Sequence, residues 1–196
     1  MTDINNILKI HTTNLKPAKG RILISEPFLL DYYFKRSVVL LAEHNEEGSF
    51  GIIINKPVKM SLTDIITDFP VFEAPVYLGG PVKTDSLFFI HTLGELVPDS
   101  MEIIDGLFWG GDIEAIKEMI VIGRITTSQI KFFMGYSGWV ANQLEGELKK
   151  NSWLVSNTNA KQVMHDKIDV LWESSLKNLG EDFAYWTNFP EDPAMN

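Results

Sequence analysis

The chain has 196 residues, of which 45% are hydrophobic, and its formal net charge at pH 7 is −9. This length and apolar content suit one folded domain with a sizeable core, and they exclude a globally disordered protein. The excess of 26 acidic over 17 basic side chains disfavours a surface that binds the phosphate backbone of DNA. Direct DNA binding is therefore not expected.

Cysteine is absent from the sequence, which excludes disulfides, thiol nucleophiles and cysteine-based zinc sites. No apolar run approaches the roughly 18 residues that span a bilayer, so no membrane segment is predicted. The first ten residues contain an acid and polar amides in place of the basic and apolar regions of a secretory signal. Together these features predict a protein of the reducing cytoplasm.

Residues 1–19 are predicted to form an arm or one short helix, since only Ile4, Ile7 and Leu8 share a helical spacing. After Gly20, short runs of β-branched and aromatic residues predict a series of strands. These runs are 21–25, 37–43, 50–55, 76–78, 86–92, 102–109 with a turn at Asp105-Gly106, 129–134 and 152–155. The polar residues 44–49 are expected to be the loop of an antiparallel hairpin.

Apolar residues at helical spacing predict four helices between these strands. The predicted helices cover residues 62–69, 113–123, about 140–148, and 166–179. Ser61 and Asp64 have the spacing of a capping box for the first, and Asp112 is a candidate N-cap for the second.

Strands and helices do not alternate strictly, so an α+β fold is favoured over a doubly wound one. We expect a single domain with a mixed or largely antiparallel sheet, flanked by about four helices. The domain is expected to span residues 20–180, between the N-terminal arm of residues 1–19 and an acidic, aromatic C-terminal tail of residues 181–196.

The segment Gly135-Tyr136-Ser137-Gly138-Trp139 is predicted to be a sharp corner between a strand and a helix. Such a corner can expose a nucleophilic serine, but a nucleophile elbow needs glycine where Trp139 stands. We therefore favour Ser137 as a helix N-cap, and no catalytic residue is assigned.

The four histidines, His11, His44, His91 and His165, form no pair at the spacings of metal ligands, so no metal site is predicted. His44 follows Glu43 at a strand end, where successive side chains point to opposite faces of a sheet. We interpret His44 as a polar group beside the hairpin loop.

Two glycine pairs, Gly79-Gly80 and Gly110-Gly111, are candidates for turns that present backbone N–H groups to an anion. No complete phosphate-binding motif surrounds either pair, and Asp112 would itself occupy the positive end of the helix that follows. Tight packing turns are the favoured interpretation, and no cofactor is predicted.

Polar side chains at strand ends and on one helix face support an alternative interpretation, in which they line the pocket of an enzyme such as a hydrolase. The pocket would be centred on Arg36, His44, Asn55, Gln143 and Glu147. The full set of candidate pocket residues is Arg36, His44, Asn55, Gly79, Gly80, Gly110, Gly111, Asp112, Tyr136, Trp139, Gln143 and Glu147.

Eight short motifs follow one another along the chain. They are Arg36-Ser37-Val38-Val39-Leu40-Leu41, Glu43-His44, Gly51 with Asn55-Lys56-Pro57, Val76-Tyr77-Leu78-Gly79-Gly80-Pro81, Gly110-Gly111-Asp112, Gly135-Tyr136-Ser137-Gly138-Trp139, Gln143-Leu144-Glu145 and Ser152-Trp153. In this order and spacing they resemble the AlgH/YqgE family of bacterial proteins, from about Leu15 to Gly180. The family usually has alanine at the position of Ser137, which argues further against a nucleophile.

The resemblance implies a small α+β fold of the bacterial cytoplasm. It implies little about mechanism, because most family members are uncharacterised and some are named as transcriptional regulators. Without a complete catalytic constellation, we favour a non-enzymatic regulatory or binding protein whose partner is an unknown protein or small molecule. A hydrolase is the alternative, and the oligomeric state stays open.

Overall fold

Ten β-strands form one sheet among the residues that the computed structural model describes, 13–165 and 167–190. The strands are β1 (Ile22–Ser25), β2 (Val38–Asn45), β3 (Gly48–Ile53), β4 (Pro57–Val58), β5 (Val76–Leu78), β6 (Val82–His91), β7 (Met101–Ile104), β8 (Leu107–Trp109), β9 (Ile130–Val140) and β10 (Trp153–Ser156). The helices are α1 (Leu62–Ile65), α2 (Ile113–Val121), α3 (Gln143–Lys149), α4 (Ala160–His165), α5 (Leu171–Asn178) and α6 (Glu181–Ala184). Short 3₁₀ turns cover Gly94–Leu96, Ile168–Val170 and Tyr185–Asn188.

The main path of the sheet runs β10-β1-β2-β3-β9-β6-β8-β7, and β4 and β5 attach beside it. Every pairing is antiparallel except that of β5 with β9, which is parallel. The predicted α+β fold with a largely antiparallel sheet is therefore confirmed, and the described residues contain six helices where about four were expected. Within the described residues, no helix is long and apolar enough to cross a membrane.

The first half of the sheet is buried on both faces, which explains the continuous apolar runs of β1 and β2. Val38, Leu40 and Ala42 face a core that α4, α5 and α6 cover. Val39 and Leu41 face the opposite core, which α3 and the loop before β2 cover. A third cluster joins β5, β6 and β9 to α1 and α2.

Several predicted boundaries differ from the observed ones. The hairpin loop is only Glu46-Glu47, because β2 continues to Asn45 and β3 begins at Gly48. The capping box of Ser61 and Asp64 is present, but α1 ends after one turn. The predicted corner at 135–138 is wrong, since these residues lie inside β9.

The C-terminal region contains more helix than predicted. The sequence pattern missed α4, and the predicted start of the next helix at Asp166 lies outside the described residues. Residues 181–190, assigned to a tail, contain α6 and a 3₁₀ turn because Phe183 is buried against the main core. At the other end, residues 13–19 form no helix, and residues 1–12 lie outside the described part of the chain.

The side chain of Asn55, just after β3, forms hydrogen bonds with the backbone at the start of β2. Its Oδ1 accepts a hydrogen bond from the Val38 N–H at 2.8 Å, and its Nδ2 donates to the Arg36 carbonyl at 2.9 Å. The Asn55 amide therefore bridges two neighbouring strands. Arg36 has φ +49°, so this bridge holds a left-handed residue in place.

Replacing Asn55 with alanine should lower the free energy of unfolding by about 1–3 kcal/mol, because the N–H of buried Val38 and the carbonyl of half-buried Arg36 lose their partner. Urea unfolding followed by circular dichroism measures the change. Asn45→Ala is the matched control, since Asn45 also accepts a backbone N–H, from Glu47 at 2.9 Å, but in an exposed turn. Equal losses in the two variants would show that the bridge contributes no more than a surface turn.

Candidate functional site

The five residues that the sequence grouped into a pocket lie at different ends of the sheet. Asn55 and Arg36 adjoin the start of β2, whereas His44 lies near its end. His44 lies six positions after Val38, which at the rise of an extended strand is about 20 Å. Arg36 and Asn55 therefore do not share a cleft with His44.

Arg36 ties the C-terminal segment to the sheet. Its Nη2 donates to the Phe189 carbonyl at 2.6 Å, and its guanidinium carbon lies 4.9 Å from the centre of the Trp172 ring. Its Nε is buried and finds no hydrogen-bond partner among the described residues. The stacked cation and the single carbonyl contact indicate a packing role at this position.

A β-bulge between Leu41 and Glu43 decides where His44 points. The extra residue turns Glu43 toward the face of Phe50, and it places His44 opposite Ser49 on the other face. The His44 ring Nδ1 lies 2.7 Å from the Ser49 hydroxyl, and its Nε2 lies 3.8 Å from a carboxylate oxygen of Glu145. The bulge thus brings His44 next to α3.

Glu147 accepts hydrogen bonds from two indoles on the same face. Trp139 Nε1 and Trp153 Nε1 donate to its Oε2 at 2.9 and 2.7 Å, and Gln143 Nε2 donates to its Oε1 at 3.0 Å. Phe34 packs against both indole rings. We name Glu147, Trp139, Trp153 and Gln143 the indole–carboxylate cluster. Both carboxylate oxygens are engaged, so the cluster anchors α3 to β9 and β10.

An open cleft of about 520 Å³ lies beside this cluster. Its lining residues are His44, Asn45, Glu46, Asn142 and Glu145. No group of three histidine or carboxylate ligands able to hold a metal ion occurs among the described residues. The cleft therefore has an acidic rim and no assembled metal centre in that part of the chain.

The Gly79-Gly80 pair allows two backbones to approach closely. A Cβ atom at either position would collide with the backbone of Gly135 or Tyr136 on β9, and a Cβ at Gly135, where φ is +71°, would lie 2.6 Å from the Gly80 carbonyl oxygen. Ser137 is fully buried and donates to the Gly79 carbonyl at 3.0 Å. Ser137 is thus neither an exposed nucleophile nor a helix cap.

Tyr136 projects into an aromatic group with Phe50 and Phe88, at ring-centre distances of 6.3 and 5.5 Å. Trp109 completes the group by stacking on Phe88. These contacts are hydrophobic packing. They account for the aromatic residue at position 136, next to Gly135, and a binding role is not needed to explain it.

Gly110-Gly111 leads into α2, and Asp112 caps that helix as predicted. The Asp112 Oδ1 accepts from the Glu114 N–H at 2.9 Å. Gly111 has φ +108°, and a Cβ there would lie 2.6 Å from the Pro98 carbonyl oxygen. The carboxylate already occupies the helix N-terminus, which leaves that end unfavourable for an anion.

His91 is buried under this turn. Its Nε2 lies 3.0 Å from the Gly110 carbonyl, and the Leu93 N–H donates to its Nδ1 at 3.2 Å. Its ring stacks on Phe108 with centres 5.6 Å apart. This pattern requires the neutral tautomer with the proton on Nε2. Burial lowers the pKa of His91, and the Gly110 bond opposes that shift.

A second cleft, which the sequence did not predict, lies between the sheet and helices α4 and α5, and has a volume of about 380 Å³. One part of its lining is aliphatic and the other is made of hydroxyls and amides. The aliphatic residues are Ile22, Val38, Ile54, Val163 and Leu171, and the polar ones are Ser156, Asn157, Thr158, Gln162, Ser174, Ser175 and Asn178. We name this the hydroxyl–amide cleft. None of its described lining residues has an ionisable side chain.

Local hydrogen bonds fix the polar wall of the hydroxyl–amide cleft. Asn159 caps α4 by accepting from the Gln162 N–H at 2.9 Å, and its Nδ2 donates to Gln162 Oε1 at 3.0 Å. Ser174 donates to the Leu171 carbonyl at 3.0 Å. Ser175 is only 7% exposed, and its hydroxyl bonds to no described residue, but the oxygen is not fully buried and opens on the cleft. The only signal in the sequence was the run of small polar residues at 156–159 and 174–175.

A family model described as AlgH-like matches residues 22–184. The chain therefore belongs to the AlgH-like family. A UPF0301 protein of Bacteroides fragilis is 46% identical over 97% of both chains, and one of Parabacteroides distasonis is 44% identical over both complete chains. The AlgH-like match includes the indole–carboxylate cluster and the hydroxyl–amide cleft.

Two solved structures share the AlgH-like fold. The solution structure of the AlgH protein from Pseudomonas aeruginosa aligns with a TM-score of 0.71 at 26% identity, over 91% of this chain and 98% of that one. A crystal structure of a Corynebacterium diphtheriae protein aligns with a TM-score of 0.76 at 22% identity, over 91% and 95% of the two chains. The names of these relatives specify no activity.

Replacing Glu147 with alanine should lower the free energy of unfolding by about 3 kcal/mol, because it removes a charged acceptor from two indole N–H groups. Urea unfolding followed by tryptophan fluorescence measures the change. Glu145→Ala is the control on the same helix, since its carboxylate contacts His44 at 3.8 Å and neither indole. A loss at Glu147 no larger than at Glu145 would contradict the anchoring role.

The buried His91 should make the protein less stable as the pH falls below about 6.5, the ordinary pKa of histidine. The unfolded chain then binds a proton that the folded His91 resists, so stability is full above that pH and decreases until the lowered folded pKa is reached. Urea midpoints at pH 7.5 and 5.5 test this in the wild type and in His91→Gln, which should show a smaller difference. The control His165→Gln, at an exposed position, should keep the wild-type difference.

Proposed function

We propose that the protein is a non-enzymatic binding protein that takes a small molecule in the hydroxyl–amide cleft. One observation carries the proposal: seven polar side chains line this cleft, and none of the described lining residues is ionisable. General acid–base and nucleophilic catalysis depend on groups that gain or lose protons near neutral pH, or on a hydroxyl activated by such a group. Hydroxyls and amides alone favour recognition over catalysis.

The dimensions and composition of the cleft support a small ligand. Its volume of about 380 Å³ lies in the lower part of the range for small-molecule sites, roughly 300–1,000 Å³. Such sites typically combine apolar walls with a few polar groups that fix the orientation of the ligand. The aliphatic wall and the polar wall of this cleft have that arrangement.

The regulatory role suggested by the family resemblance fits the same proposal. With a net charge of −9, any effect on transcription would pass through a bound metabolite or a protein partner, without direct contact to DNA. We also propose a cytoplasmic location, which the absence of cysteine leads us to expect. The hydrolase alternative is not favoured, because the Glu147 carboxylate already accepts hydrogen bonds from two indoles and from Gln143. In addition, His44 and Asn55 lie near opposite ends of β2.

A thermal-shift screen of small metabolites, both neutral and charged, tests the proposal. A ligand present at ten times its Kd should stabilise the folded state by about 1.4 kcal/mol and raise the unfolding midpoint. In Ser174→Phe the larger side chain should fill the cleft and abolish the shift. Thr127→Phe, in the exposed loop before β9, is the matched control and should keep it.

Each compound that binds is then incubated with the protein and recovered. Recovery of the unchanged compound is the expected result, whereas conversion to a product would overturn the non-enzymatic assignment. The binding proposal itself fails if no compound produces a shift that Ser174→Phe removes.

A further inference from the structure

The aliphatic wall of the hydroxyl–amide cleft is part of the main core. Ile22, Val38 and Ile54 lie on adjoining segments of the sheet, and the Ile54 N–H donates to the Val38 carbonyl at 2.9 Å. A surface of this kind offers no hydrogen bonds to a ligand, and covering it with an apolar or ring face is favourable because apolar area is removed from water. The wall therefore selects a ligand with one flat, weakly polar face.

The opposite wall offers hydrogen-bonding groups that the protein leaves available. Gln162 Oε1 accepts from Asn159 and Thr158, so the amide is held with its Nε2 donor unused by any described residue. The amide groups of Asn157 and Asn178 also have no hydrogen-bond partner among the described residues. These groups can donate to and accept from the hydroxyls or amides of a ligand.

Ser175 is the buried member of this wall. Only 7% of the Ser175 residue is exposed, and its hydroxyl bonds to no described residue. The oxygen is not among the buried polar atoms that lack a partner, so it opens on the cleft and is available to a ligand. The neighbouring Ser174 differs, since its hydroxyl is already bonded to the Leu171 carbonyl. Ser175 therefore offers a free hydroxyl from the least exposed polar residue of the cleft.

The cleft offers nothing that neutralises a charged ligand. None of its described lining residues is ionisable, and an ion placed there would lose its hydration without gaining an opposite charge. Lys131 contacts the neighbouring α4, where its ammonium donates to the Val163 carbonyl at 2.7 Å, but it is not a lining residue. The net charge of −9 further disfavours anions.

We infer that the hydroxyl–amide cleft binds an uncharged ring compound with hydroxyl or amide groups along one edge, and that the Ser175 hydroxyl anchors that edge. The inference rests on the proposed binding function and specifies its ligand class. Nucleosides and monosaccharides share this chemistry, and both are small enough for a cleft of about 380 Å³.

Isothermal titration of the full chain with matched pairs of compounds tests the charge preference. The pairs are adenosine and adenosine monophosphate, uridine and uridine monophosphate, and glucose and glucose 6-phosphate. We expect at least one neutral compound to bind, and its phosphorylated partner to bind at least tenfold more weakly. Binding by the nucleosides alone or by glucose alone identifies which source of the shared chemistry the cleft takes.

Ser175→Ala tests the anchor, with Ser100→Ala as its control, since Ser100 lies outside the cleft and its hydroxyl donates to the Val97 carbonyl at 3.0 Å. Ser175→Ala should weaken binding about fivefold, the equivalent of one hydrogen bond of about 1 kcal/mol. Without ligand, the same variant should unfold near the wild-type midpoint, because its hydroxyl bonds to no described residue. A purely structural role for the hydroxyl would instead lower that midpoint. Ser100→Ala should leave the affinity unchanged.

Three results would overturn the inference. Tighter binding of a phosphorylated compound would reject the neutral ligand class, and unchanged affinity in Ser175→Ala would reject the anchor. Failure of all six compounds to bind at millimolar concentration would reject the ring-compound class. The proposed function survives each of these results if another metabolite gives a thermal shift that Ser174→Phe abolishes, so the two failures are distinguishable.

Discussion

The rest of the structure depends on the unbroken course of β9 from Ile130 to Val140. This strand pairs with β6 along one edge, and with β5 and then β3 along the other. Gly135 within this strand adopts a left-handed conformation, which favours glycine. Gly79 and Gly80 are also required, because their backbone passes too close to Gly135 and Tyr136 for a Cβ atom to fit. Any side chain at these positions would separate the strands and divide the sheet, so β9 joins the two halves of the fold through these glycines.

The same strand also positions both candidate sites. Near its start, Lys131 donates to the Val163 carbonyl, which lies in the last turn of α4, where carbonyls lack partners within the helix. Near its end, Trp139 donates to Glu147 and so holds α3. One strand thus fixes a wall of the hydroxyl–amide cleft and the helix beside His44. The two regions therefore contact the same strand, although they share no side chain.

Sequence patterns predicted what depends on neighbours along the chain. Asp112 and the pair Ser61 and Asp64 were recognised as caps because a cap acts within one turn of helix. The segment 135–138 was misread as a corner because its glycines serve an approach to residues more than 50 positions away. The bulge that turns His44 toward α3 depends on register with β3. The hydroxyl–amide cleft escaped prediction because its serines and amides look like solvated loop residues until α4 and α5 are placed over the sheet.

The position of the hydroxyl–amide cleft connects it to the C-terminal segment. Its wall α5 carries Ser175 and, one turn earlier, Trp172, whose indole donates to the Ser25 carbonyl at 2.9 Å. Arg36 packs over that same indole and holds the Phe189 carbonyl. A ligand that contacts both the sheet and α5 therefore stabilises the helix through which the C-terminal 3₁₀ turn is attached. Under the proposed binding function, a ligand would act on the local stability of a helix that has few strand contacts of its own. Its effect on the C-terminal segment would then follow from where the cleft lies, without a reacting group.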